Sequence, residues 1–175
     1  ENLEHSQSIP MPPALTLQSL PLFPLGSVLF PGGLLPLRIF EVRYLDMITR
    51  CYKAGAPFGV VLLTQGSEVR QPGQTEAFHS VGTLATIDQF DAPQAGLLLI
   101  RATGAQRFRI TASEHLKHGL WVADVQRIET DLPVPIPDDL KHTASLLLQL
   151  IESLEQKNTP PDQMPLQAPW QLDDC

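Results

Sequence analysis

LPLFPLGSVLFPGGLLPLRIFEVRYLDMI, residues 20–48, is the stretch on which the fold turns. Apolar residues dominate it, yet four prolines and three glycines punctuate it. Residues 20–25 are expected to form a first strand. Proline cannot donate to a ladder, so Pro21 and Pro24 belong at an edge or a bulge. Residues 28–30 continue extended, and Pro31-Gly32-Gly33 marks a turn. Residues 34–39 form the next strand, again with a proline inside. A helix then runs over 41–54, because Tyr44, Leu45, Ile48, Cys51 and Tyr52 share one face of a 3.6-residue period. Gly55 ends it and Pro57 prevents its continuation.

Outward from this stretch the chain stays rich in strands. FGVVLL, 58–63, is a short apolar run of buried-strand length. Residues 65–80 are polar, contain Gly66, Pro72 and Gly73, and read as a long exposed loop. Strands follow at 81–90 and 97–103, joined by a hairpin loop at 91–96. Gly104 is expected to break the second of them. Shorter strands follow at 107–111 and 121–128.

The composition then changes. Residues 132–137 hold three prolines and read as a stiff linker. Pro137 suits a first helical position, with Asp138 and Asp139 beside the positive end of the helix dipole. Leu140, Ala144, Leu147, Ile151 and Leu154 recur at spacings of four and three, an amphipathic helix over 137–154. Beyond it the chain is polar and proline-rich. The expected organisation is an N-terminal tail at 1–17, partly vector-derived, a β-rich lobe at 18–130, and a linker, helix and tail at 131–175. The native polypeptide is expected to continue past Cys175. The fold class is α+β: a β lobe, closed or half-closed, with one inserted helix and a helical segment behind it.

Composition narrows the function. The 175 residues suit one domain or one domain with a small lobe, and 43% apolar content is enough for an ordinary core. The net charge of −7 and pI of about 5.1 disfavour nucleic acid and anionic membranes, which need clustered Lys and Arg. No apolar run approaches the ~20 residues of a membrane helix. Two cysteines, Cys51 and Cys175, give no disulfide framework and fit a cytoplasmic setting.

The catalytic signatures are missing as well. None of Lys53, Lys117, Lys141 and Lys157 follows a glycine, so there is no phosphate-binding P-loop. Ser27 follows Gly26 but lies in no G-x-S-x-G elbow, and Lys53 is no evident partner for it. Glu114, His115 and His118 form E-H-x-x-H, yet a metal wants three or four ligands and no further Cys or His lies near. A solvated turn beside Gly119 is the favoured reading, and no metal or cofactor is expected. Cys51 sits at an apolar helix position and reads as a small core residue. Arg101, Arg107 and Arg109 are the densest basic set, with pairing to carboxylates favoured over an anion site. Glu41 and Arg43 are expected to form a fixed ion pair where strand becomes helix.

The opening stretch resembles the N-terminal substrate-recognition domain of Lon proteases. The shared pattern is LPL-x-P, a Phe-Pro-Gly turn, and PLRIFE-x-RY leading into a helix. In this chain Glu41, Arg43 and Tyr44 carry the last part. FGVVLL, VGTLATIDQF and LLLIRATGAQRFRI follow in the family's order. The resemblance covers residues 20–129 clearly and the later helix more loosely. It implies a PUA-like β pseudo-barrel with a helical lobe, in a stand-alone bacterial protein without the ATPase and Ser-Lys protease modules. It implies a non-catalytic module that binds unfolded polypeptide or a protein partner, along a strand edge or in a groove beside the helix. Phe23, Phe30, Leu34 and Leu35 are the expected apolar contacts, with Arg101 and Arg107 as polar ones. A PUA-like RNA or small-molecule binder is the alternative, and a peptidase is the least favoured reading.

Overall fold

The structure is a computed structural model that describes residues 16–160. It contains six strands: β1 (Thr16–Leu25), β2 (Leu34–Ile39), β3 (Phe58–Gln65), β4 (Ala77–Gln94), β5 (Leu97–His115) and β6 (Trp121–Arg127). Helix α1 (Val42–Ala54) separates β2 from β3. A 3-10 turn (Asp138–Leu140) leads into α2 (Lys141–Gln156). Of the expected N-terminal tail at 1–17, residues 1–15 lie outside the described residues, as do residues 161–175, and Thr16 and Leu17 belong to β1.

The strand order is β2-β5-β4-β3-β1-β6, and β6 pairs back onto β5. Five strands therefore close a ring, and β2 hangs from β5 outside it. β1 and β3 run parallel, and every other pair is antiparallel. The length of β5 makes the closure possible. One edge of its first half pairs with β2, from Leu98↔Ile39 to Thr103↔Leu34. In its second half the ladder to β6 runs from Phe108↔Arg127 to His115↔Trp121.

Gly104 does not end this strand. The expected pair of strands at 97–103 and 107–111 is one continuous element. The glycine serves a close approach instead. Gly32 N–H donates to its carbonyl and its own N–H donates to the Gly33 carbonyl, both at 2.8 Å. A Cβ on Gly104 would sit 2.1 Å from the Phe30 oxygen. The segment at 28–30, expected to be extended, forms no strand and belongs to this docked loop. Thr83 Oγ1 donates to the Leu29 carbonyl at 2.6 Å and holds it from the other side.

β1 is interior in the strand order, which a strand containing Pro21 and Pro24 is not expected to be. Its two ladders are offset. Pairing to β6 covers Thr16 to Leu22, and pairing to β3 covers Leu22 to Leu25. They overlap only at Leu22, so each half of β1 has one open side where a missing N–H costs nothing. A bulge between Leu17 and Leu20, with Ser19 at φ 52°, relaxes the first half further.

The remaining differences are at boundaries. The loop expected at 65–80 spans only 66–76, because β4 starts at Ala77. β4 and β5 run into a two-residue turn at Ala95-Gly96 rather than a six-residue loop, with Gly96 at φ 78°. Gly55 adopts φ 60° and caps α1 as expected, its N–H reaching the Tyr52 carbonyl.

Two apolar clusters fill the molecule. The larger lies under α1, where Tyr44, Met47, Ile48 and Cys51 meet Phe23, Phe58, Ile39 and Ile100. The smaller sits inside the ring around Phe108, Leu22, Val61 and Val125. On α2, Ile151 is fully buried and Ala144, Leu147 and Leu154 are half-buried, as their spacing requires, whereas Leu140, Leu146 and Leu150 are exposed.

Candidate functional site

Arg43 is the best-connected residue at the start of α1. Its Nε donates to Glu41 at 3.2 Å, and Nη2 and Nη1 donate to Glu76 at 2.9 and 3.2 Å. Nη1 also donates to the Gly119 carbonyl at 2.9 Å. The expected Glu41–Arg43 pair is therefore present. Sequence reasoning missed Glu76, the last residue of the 66–76 loop. Nothing in the local pattern around position 76 signals a partner 33 residues away. Trp121 Nε1 also donates to Glu76, at 3.1 Å. Burial works against the charge on both Arg43 and Glu76. Their mutual hydrogen bond outweighs it, so the Arg43 pKa is raised and the Glu76 pKa lowered. Burial pushes the Tyr44 hydroxyl up as well, and its ring stacks on Phe23 at 4.1 Å. This constellation locks the loop, α1 and the turn before β6 together. Every charge in it is already satisfied.

The other chemistry-bearing residues are also occupied structurally. His115 stacks on Trp121 at 4.5 Å, and exposed His118 lies in the turn before Gly119. Among the described residues no group of three or more His, Cys, Asp or Glu is placed to hold a metal. Cys51 is buried against Met47, and burial raises its thiol pKa, so thiolate is scarce. Arg101 pairs with Asp88 at 2.8 Å, which also accepts from Thr103, and Arg107 pairs with Asp131 at 2.7 Å.

The expected apolar contacts divide by burial. Phe23 is 7% exposed and belongs to the core. Phe30 is 70% exposed at the tip of the docked loop. Leu34 and Leu35 are half-buried on β2, and Leu35 packs on the core beneath it. Phe40 and Val42 follow β2, and both are exposed, Val42 at 82%. Val28, Phe30, Phe40 and Val42 thus place large exposed side chains before and after one short strand. The strand's outward row is Leu34, Pro36 and Arg38. Pro36 lies across from Arg101, and the two line a shallow depression with Phe90 and Leu99.

The model of the ATP-dependent protease La (LON) substrate-binding domain matches residues 19–174. The chain belongs to this family. The crystal structure of a Lon N-terminal domain protein from Xanthomonas campestris is 34% identical, covering 80% of this chain and 75% of that one, with a TM-score of 0.58. The N-terminal domain of the Mycobacterium avium complex Lon protease shares the fold at 18% identity, covering 81% and 70% of the two chains, with a TM-score of 0.50. No curated protein sequence matches. The resemblance read from residues 20–129 is thereby shown, as is the α+β architecture of this Lon domain. No helix among the described residues is long and apolar enough to cross a membrane.

Proposed function

We propose that this Lon domain is a non-catalytic module that captures unfolded polypeptide through the surface around β2. The observation that carries the reading is the exposure of Val28, Phe30, Phe40 and Val42 on the two segments that flank that strand. Large apolar side chains left facing water at both ends of one strand mark its surface as a candidate site of association. Membership of a substrate-binding family supports polypeptide as the occupant. Family membership and the structural use made of Arg43, Glu76, His115 and Cys51 support the absence of catalysis. A cytoplasmic setting accords with the composition. The acidic charge, and the carboxylates that neutralise Arg101 and Arg107, weigh against an RNA-binding role.

The test is titration of the protein with reduced, carboxymethylated lactalbumin, a permanently unfolded chain, followed by calorimetry and photo-crosslinking from position 30. Saturable binding that Phe30→Ser together with Phe40→Ser weakens about tenfold or more is the expected result, since each lost aromatic anchor costs about 1–2 kcal/mol. No saturable binding of this chain or of any other unfolded polypeptide would sink the reading.

A further inference from the structure

β2 is paired on one side only. Its ladder to β5 uses one edge, and among the described residues no backbone or side-chain group hydrogen-bonds to the other. The sequence of β2 fixes which groups face that open edge. In an antiparallel pair alternate residues direct both N–H and C=O toward the partner, and the intervening ones direct both away. Gly33 presents its carbonyl to Gly104 N–H, so its parity (Leu35, Leu37, Ile39) faces β5. Pro36, which has no N–H to give to Arg101, falls in the opposite parity. Leu34, Pro36 and Arg38 therefore direct their main-chain groups into the open.

We propose that an extended segment of another polypeptide adds to this edge as a further strand. Leu34 and Arg38 would each give it a donor and an acceptor, and Pro36 a carbonyl alone. This rests on the polypeptide-binding reading and specifies how the segment is held: main-chain bonds supply affinity and alternate side chains supply selectivity. The flanking exposed Phe30 and Phe40 favour an apolar segment. Arg38 is exposed and has no ion-pair partner among the described residues, so an Asp or Glu opposite it is favoured. Pro36 argues against a second copy of this chain as the occupant. A two-fold pairing of β2 with itself about its middle would set proline against proline and leave the centre without donors.

Peptides of ten residues tiled along carboxymethylated lactalbumin supply the probe. The tightest binder is remade with a single backbone N-methyl group at each position in turn and titrated against the intact protein. Strand addition predicts a period of two: methylation at alternate residues weakens binding about tenfold or more, and at the others changes little. A binding peptide whose affinity is indifferent to N-methylation, or sensitive without that period, overturns strand addition and leaves polypeptide capture standing. Failure of the intact unfolded chain and of every peptide to bind overturns both. Pro36→Ala restores an N–H at the middle of the edge. It is expected to tighten the parent peptide about fivefold, the worth of one net hydrogen bond, and to allow self-association in sedimentation. Unchanged affinity with unchanged sedimentation would refute the role given to Pro36.

Discussion

Arg43 shows how much one residue can organise. Its guanidinium is nearly enclosed and joins Glu41, Glu76 and the Gly119 carbonyl, which lie on three separate segments. Removing it strands a carboxylate in a half-dry site, and breaking a buried pair in that way costs about 3–5 kcal/mol. Arg43→Ala is expected to lose that much in urea denaturation. Arg43→Lys recovers only part, because an ammonium cannot make the paired contact with Glu76. The same site makes stability depend on acid. The Glu76 carboxyl titrates below its ordinary value of 4.5 in the folded protein. Its contribution is therefore complete above about that value and is lost as pH falls through the lower folded value. The urea midpoint should drop between pH 6 and pH 3, and the drop should be smaller in Glu76→Gln.

At the scale of elements, β2 is the unusual strand. Its parity makes a prediction that needs no ligand. The amides of Leu35, Leu37 and Ile39 should exchange slowly with deuterium, and those of Leu34 and Arg38 fast, a split readable by NMR. Equal protection along β2 would mean that something already covers the edge. The docked loop depends on Gly104 in the neighbouring strand. Gly104→Ala places a methyl group against the Phe30 carbonyl, and overpacking of this kind costs about 1–3 kcal/mol. Faster hydrogen exchange confined to residues 26–33 is the accompanying signature.

At the scale of the whole molecule, the ring closes because β5 is long enough to serve β2 with one half and β6 with the other. Phe108 stands at that changeover, fully buried and in contact with the positions of Gly59 and Gly82. Phe108→Ala opens a cavity in the middle of the ring. A loss of about 3–5 kcal/mol is expected, measured by thermal or urea unfolding.

The physics of legibility differs among these features. Strand and helix periods, the Gly55 cap and the Glu41–Arg43 pair are local, so residues 34–63 could be read closely. Gly104 was misread because a glycine inside a strand pattern signals either a break or a close approach, and only the Phe30 loop decides between them. Phe23 and Phe30 belong to the same proline-rich stretch and look alike in sequence. One is core and the other surface, because β1 is interior to the sheet and the loop is not. Glu76, 33 residues from Arg43, was invisible for the same reason. By itself the sequence determined the α+β class, the order of most elements and the likeness to a Lon recognition domain, since hydrophobic period and turn chemistry are properties of neighbours along the chain. The tertiary structure alone decided that five strands close and the sixth stays open. Closure depends on long-range register, and it leaves β2 outside the ring with one edge of its main chain unpaired.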